Sequence, residues 1–156
     1  DAANTAEIDA AKIAQAQGTR AEVKSFAKMM FDAHSKNDSQ GDALVNRLKI
    51  KPNETADSKS LKAQAQAKID DMKNKKGADF DRAYIDSQVM MHSQVANDLR
   101  TSLIPAAKNT EFKSFLQDTL NHVQMHLDQA QKLQASMSGS TMPPAGQGTG
   151  TGTMKK

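Results

Sequence analysis

The amino-acid sequence predicts an all-α fold, an antiparallel helical bundle, and three observations favour it. Ala supplies 23 of the 156 residues, whereas Leu, Ile, Val and Phe together supply about 16%. Because Ala is the strongest helix former, a chain short of β-branched and aromatic residues favours long helices over strands. Apolar residues recur at alternating spacings of four and three, as in a helix that faces a bundle core. Glycines and prolines are sparse before residue 138 and divide the chain into long segments.

Five helices are predicted within a bundle domain of residues 1–137. Gly18 ends the first helix, and the Thr19-x-x-Glu22 pattern predicts a capping box that begins the second. Pro52, Gly77 and Pro105 mark the later breaks. The third helix is weakly apolar, so we expect it to connect two longer helical hairpins, residues 1–50 and 78–137. The predicted helices span residues 2–17, 21–50, 56–75, 78–104 and 110–137.

Residues 138–156 are a low-complexity run of Gly, Thr, Ser and Pro that cannot bury a core. We therefore predict a flexible, disordered C-terminal tail. The first residue is Asp rather than Met, which we interpret as a processed mature form or a trimmed chain.

Two helices carry matching heptad stripes, offset by 89 residues. Their local sequences also agree, since residues 22–26 read EVKSF and residues 111–115 read EFKSF. This similarity predicts two related hairpins. The stripe of the second helix is Val23, Ala27, Met30, His34, Asn37, Gly41, Leu44 and Leu48; that of the last is Phe112, Leu116, Thr119, Val123, His126, Ala130, Leu133 and Met137.

Polar residues on these apolar faces are the candidate functional residues. His34 and His126 occupy the two stripes, and His92 occupies a third, formed by Ile85, Val89, His92, Ala96, Leu99 and Leu103. Glu7 shares the Ala-rich face of the first helix, and His122 lies one turn before His126. Counted from the hairpin turns, all five lie at similar distances, so we expect them at nearly one level of the bundle.

Imidazole and carboxylate groups at one level of a bundle suit a divalent metal ion. The predicted ligands are Glu7, His34, His92 and His126, with His122 in reserve. Copper or zinc is preferred over iron because no Glu stands three residues before any His, as the di-iron signature requires. Neighbouring methionines favour copper if they ligate, but Met also fills irregular cores. The alternative is a buried hydrogen-bond network of the same His and Glu side chains without a metal.

The composition disfavours several other classes of function. The chain has no Cys, which excludes a thiol nucleophile and Cys-based metal sites. A net charge of +3 with one Tyr and no Trp offers no aromatic platform for nucleic acid. No serine lies in a nucleophile motif, no Gly-rich phosphate loop precedes the tail, and no stretch could span a membrane. No organic cofactor is indicated, and an enzyme is less favoured than a binding protein.

The residues also resemble an exported bacterial family, domain of unknown function 4142, over residues 3–135. The resemblance implies a ferritin-like helical bundle, a cleaved secretion signal and a periplasmic or envelope location. It places Glu7, His34, His92 and His126 on the family's polar positions, but Ala33 and Asn121 stand where that family usually has Asp and Pro. The matching segments are Ala6–Ile8, Val23–Met30, His34, Phe80–Ile85, His92, Thr119–Leu120 and His126–Leu127.

Two functional hypotheses follow. The first is an exported protein that binds a divalent metal through its core His and Glu residues. The second is a non-catalytic envelope or stress-related protein that acts through contacts with an unidentified protein partner.

Overall fold

The computed structural model describes residues 2–139, and within this range the protein is helical and has no strands. The five predicted long helices are confirmed, with ends within three residues of those expected except that the fourth ends at Asp98, where a π-helical turn begins. The predicted tail lies almost wholly outside the described residues, since Ser138 still ends the last helix. The helices are α1 (Ala2–Gln17), α2 (Ala21–Arg47), α3 (Ala56–Lys73), α4 (Gly77–Asp98), α5 (Ile104–Ala106) and α6 (Thr110–Ser138).

Helices α1 and α2 are joined by a short connection and pack extensively against each other. The connection needs Gly18, because a Cβ there would lie 2.6 Å from the backbone oxygen of Ala14. The predicted stripe of α2 is confirmed, since its Val, Ala, Met and His members are buried. The small residues of α1 lie against this stripe and allow the two helices to approach closely.

The predicted capping box at the start of α2 is wrong. Arg20 is the N-cap residue and makes no side-chain cap, and Glu22 is exposed. The fully buried carboxylate of Asp81 in α4 accepts hydrogen bonds from Thr19 N (2.9 Å), Thr19 Oγ1 (2.6 Å) and Arg20 N (2.9 Å). The Thr19 and Arg20 donors just before α2 are therefore satisfied by a residue that is distant in sequence.

The connecting helix α3 packs against α1 and α4. It begins with a capping box between Thr55 and Ser58. Ala65, Ile69 and Met72 are buried, so this weakly apolar helix still contributes one face to the core.

Helices α4 and α6 also pack extensively against each other, and a π-helical turn, Leu99–Leu103, and α5 lie between them in the chain. In this turn the Ile104 amide donates to the Leu99 carbonyl, five residues earlier. Pro105 has no amide hydrogen, which favours this irregularity. Leu103 was predicted to be buried and is 50% exposed, because the wider turn moves it off the face that carries His92.

Two apolar clusters form the core. One joins α1 and α2 to parts of α3, α4 and α6, and the other joins α4, the π-helical turn and α6. His92 lies between Ile85 of the first cluster and Ala96 of the second, and His126 lies between Val123 and Ala130. The core histidines thus form a polar layer between two apolar ones.

None of the helices within residues 2–139 is both long and apolar enough to cross a membrane.

Candidate metal centre

Three of the five predicted site residues come together inside the bundle. His34 from α2, His92 from α4 and His126 from α6 are all buried. Each occupies the inward position of a four-three apolar stripe, which is why three different helices direct a polar ring to the same place.

The three imidazole rings form a nearly equilateral triangle. Their centroids are 5.5 Å apart for His34 and His92, 5.4 Å for His34 and His126, and 5.5 Å for His92 and His126. Each ring offers one nitrogen, and these three nitrogens all lie within 4.8 Å of one another. Three nitrogens bound to a tetrahedral zinc ion at about 2.0–2.1 Å would be about 3.4 Å apart. Each nitrogen would move by about 0.8 Å or less to reach such an ion.

One nitrogen of two of these rings is held by a hydrogen bond. His92 Nδ1 lies 3.0 Å from the backbone oxygen of Gln88, and His34 Nδ1 lies 3.0 Å from Asn4 Oδ1. A carbonyl oxygen only accepts, so His92 carries its hydrogen on Nδ1 and has its lone pair on Nε2. Metal-binding histidines in proteins are usually oriented by this kind of contact.

One nitrogen of each of the three rings is buried and lacks a hydrogen-bond partner among residues 2–139. These nitrogens are His34 Nε2, His92 Nε2 and His126 Nδ1. Buried polar atoms are nearly always paired, so three such atoms in one cluster call for an explanation. The donor set is chemically suited to a copper or zinc ion.

Glu7 lies beside this cluster, on the other side of His92. Its Oε2 accepts a hydrogen bond of 2.6 Å from Gln88 Nε2, and its Oε1 lies 3.8 Å from His92 Nδ1. Burial raises the pKa of Glu7, while His92 and the hydrogen bond from Gln88 oppose that shift. Glu7 therefore lies next to Nδ1 of His92 and not next to Nε2. Its carboxylate is not part of the group of three side chains whose ligand atoms converge.

His122 is exposed and lies on α6 one turn before His126. It is not part of the converging group either. Its charge nevertheless contributes to the lowered pKa of His126, so the two side chains are close enough to interact.

The rings of His34 and His126 are neutral at physiological pH. Burial, then the neighbouring His92 and His126, lowers the pKa of His34 to about 3. Burial, then His92 and His122, lowers the pKa of His126 to about 4. Neutral imidazole is the form that binds metals, so few protons compete for these nitrogens above pH 6.

The methionines near the histidines in sequence differ in position. Met30 is buried in the larger apolar cluster, Met91 is buried, and Met125 is 46% exposed. Their packing is consistent with the role of core filler, which the sequence left open beside ligation.

Asn4 and Gln88 contact the site, and sequence analysis missed both. Asn4 precedes Glu7 by three residues, and Gln88 precedes His92 by four. Each therefore shares a helix face with a predicted site residue, a spacing that could have indicated it. Both are polar side chains that occur often on helix surfaces, which is why they were not selected.

The comparisons with known proteins give one match. No curated protein and no solved structure matches the chain. The family model of a domain of unknown function, DUF4142, matches residues 1–133, which include the three buried histidines and Glu7. The chain belongs to the DUF4142 family.

Proposed function

We propose that this protein binds one divalent metal ion, copper or zinc in preference to iron, through His34, His92 and His126. The observation that carries the proposal is the set of three buried ring nitrogens that lie within 4.8 Å of one another, with one unpartnered nitrogen on each ring. In this proposal Glu7 orients His92 from behind and balances part of the ion's charge, and His122 is a reserve ligand at the surface.

The donor set supports copper or zinc over iron. All three converging atoms are imidazole nitrogens, and the converging group contains no carboxylate among residues 2–139. Di-iron sites in bundles use several inward Glu residues with a Glu-x-x-His motif, which this chain lacks. Imidazole ligands without carboxylates suit zinc and copper better.

Calorimetric titration of the purified full chain, freed of metal by a chelator, tests this proposal. We expect one zinc or copper ion per chain in the wild type and at least 100-fold weaker binding in a His34→Ala/His92→Ala variant. The matched control is His122→Ala, which removes an exposed imidazole and should change the affinity by less than about 3-fold. Equal, weak binding by the wild type and the double variant would contradict the proposal.

Thermal unfolding provides a second readout that does not depend on heat of binding. A ligand that binds only the folded state adds about 2.7 kcal/mol to stability at 100 times its Kd. We expect metal to raise the Tm of the wild type, and excess chelator to reverse the rise. Circular dichroism of the double variant shows whether it remains folded, so that lost binding can be separated from lost structure.

The second candidate function is an envelope or stress-related protein that acts through protein contacts. The hydrogen bonds of Glu7 with Gln88 and of His34 with Asn4 favour it, because they already form a buried polar network. It predicts no metal in the natively purified protein and a Tm that is insensitive to chelator. Elemental analysis of protein purified from its native source distinguishes the two candidates.

We also propose a ferritin-like antiparallel arrangement of the bundle and a periplasmic or envelope location. The resemblance of the chain to exported proteins supports both, and the lack of Cys is compatible with export. Fractionation of native cells, followed by immunodetection, tests the location; detection in the cytosolic fraction alone would contradict it.

A further inference from the structure

A chain of hydrogen bonds connects His34 to the backbone of α6. Thr119 Oγ1 lies 2.9 Å from the carbonyl oxygen of Phe115, and Asn37 Nδ2 lies 3.0 Å from Thr119 Oγ1. Asn4 Nδ2 lies 2.9 Å from Asn37 Oδ1, and Asn4 Oδ1 lies 3.0 Å from His34 Nδ1. The chain passes through α6, α2 and α1 before it returns to His34 on α2.

The direction of every bond in this chain follows from its first acceptor. A backbone carbonyl only accepts, so the Thr119 hydroxyl must donate to Phe115 and is left to accept from Asn37. Asn37 therefore directs its NH₂ group to Thr119 and its oxygen to Asn4. The same logic makes Asn4 donate to Asn37 and present its own oxygen to His34.

Asp38 points to the same orientation of Asn4. Its carboxylate oxygen Oδ1 lies 3.5 Å from Asn4 Nδ2 and can only accept. Two independent acceptors, the Phe115 carbonyl and the Asp38 carboxylate, thus require the Asn4 oxygen to face His34.

We propose that Asn4 is a positioning residue that fixes His34 in the Nδ1–H tautomer, and that Asn37, Thr119 and Asp38 set the direction of Asn4. His34 then offers the Nε2 lone pair to the bound ion. This inference rests on the proposed function for its purpose, but the tautomer itself is a property of the metal-free protein. Asn4 supplies the oxygen next to His34. Asp32, a carboxylate two residues before His34, is exposed and paired with Lys28 instead.

This tautomer leaves no proton on Nε2 of His34 to compete with the metal ion for that nitrogen. If His34 carried its hydrogen on Nε2, that hydrogen would point towards the ion and would have to move before coordination. Substitution of a residue that orients a metal-binding histidine typically costs 10–100-fold in affinity.

Two-bond ¹⁵N–¹H correlation spectra of ¹⁵N-histidine-labelled, chelator-treated full chain at pH 7.5 test the tautomer directly. We expect His34 and His92 both as Nδ1–H in the wild type. In Asn4→Leu, His34 should gain Nε2–H population and zinc should bind 10–100-fold more weakly. His92 is the internal control, because its acceptor is the backbone oxygen of Gln88, which no side-chain substitution removes.

A second pair of variants tests the remote end of the chain without changing Asn4. Thr119→Val removes the hydroxyl and leaves Asn37 without its acceptor, so the Nε2–H population of His34 should rise. Thr101→Val is the matched control, because Thr101 Oγ1 also donates to a carbonyl four residues earlier, at 2.9 Å, but has no contact with the chain described above. Thr119→Ser, which keeps the hydroxyl, should restore the wild-type spectrum.

The results separate this inference from the proposed function. His34 found as Nε2–H in the wild type, or unchanged in Asn4→Leu and Thr119→Val, would overturn the role of Asn4 even if zinc binds. His34 found as Nδ1–H in the wild type and altered in both variants would support that role even if no metal binds.

Discussion

His126 places a buried Nδ1 atom without a hydrogen-bond partner among residues 2–139 into the histidine cluster. An unsatisfied buried polar group costs stability, so a residue chosen for stability alone would be apolar here. We expect His126→Leu to raise the free energy of unfolding of the metal-free protein by about 1–2 kcal/mol. Urea denaturation at pH 7.5 with chelator present measures this difference.

Metal binding should change in the opposite direction in the same variant. His126→Leu should lose zinc or copper binding while it gains stability. His122→Leu is the control, since an exposed substitution should alter stability by no more than about 0.5 kcal/mol. A loss of more than about 1 kcal/mol in the metal-free His126→Leu protein would show that His126 is a structural residue.

The lowered pKa values of His34 and His126 predict an acid-sensitive metal-free protein. Below pH 6.5 the unfolded chain takes up protons at these residues, whereas the folded protein resists protonation down to about pH 3 for His34 and about pH 4 for His126. With respect to these two groups the free energy of unfolding is therefore highest above pH 6.5, and it falls as the pH decreases through this window.

The titration of Glu7 changes the free energy of unfolding in the opposite direction. Because its pKa is raised, the folded protein keeps a proton above pH 4.5 that the unfolded chain releases, and this lowers stability as the pH rises. Two imidazoles outweigh one carboxyl group, so stability should fall by about 1–3 kcal/mol between pH 7 and pH 5. Urea unfolding midpoints in chelator measure the fall, which should be smaller in His126→Leu. Equal stability at the two pH values would contradict the lowered pKa values.

The identity of the central residues could be predicted from sequence, but their partners could not. A His on an apolar stripe is visible as an exception to a periodic pattern, so His34, His92 and His126 were found. The polar partner of His34 is Asn4. In the sequence its side chain cannot be distinguished from a surface amide, because its position depends on how α1 packs against α2. The same holds for Gln88, which contacts both Glu7 and His92.

At the scale of the element, the two residues just before α2 are held by a carboxylate of another helix, α4. Asp81 accepts three hydrogen bonds from Thr19 and Arg20 and is fully buried. We expect Asp81→Ala to lower the free energy of unfolding by about 2–4 kcal/mol, since it removes the fully buried acceptor of three hydrogen bonds. Urea denaturation measures the loss. Asp79→Ala, an exposed carboxylate in the same helix, should cost less than about 1 kcal/mol, and similar losses in both variants would exclude a specific role for Asp81.

Helix positions were predictable from sequence because breaks and apolar spacing are local. The start of α2 was misread because its cap lies about 60 residues away in sequence, beyond any local pattern. Leu103 was misplaced for a different reason. Periodicity assumes a constant number of residues per turn, and the π-helical turn breaks that assumption.

At the scale of the whole molecule, the two halves of the chain contribute unequally to the histidine cluster. His34 comes from α2, whereas His92 and His126 come from α4 and α6. An ion held by all three would connect α2 to α4 and α6, so metal should slow amide hydrogen exchange in α1 and α2 most, where opening separates His34 from the other two. Exchange measured by mass spectrometry with and without zinc tests this expectation.

The His34→Ala/His92→Ala variant is the control for that measurement and should show no protection by zinc. His122→Ala should behave like the wild type. Protection confined to the surface around His122 would instead locate the ion outside the bundle.

The π-helical turn between Leu99 and Leu103 has a consequence for how the length of this chain can vary. It contains one residue more than an α-helical turn would need. A deletion of one residue there would convert it to regular helix and leave His92, which lies before the turn, in place on α4. It would also rotate the segment that follows, which leads into the helix that carries His126. A relative one residue shorter at this turn therefore needs a compensating change in the connection before α6 to keep His126 in the cluster, whereas a deletion between Tyr84 and His92 would turn His92 itself away from its two neighbours.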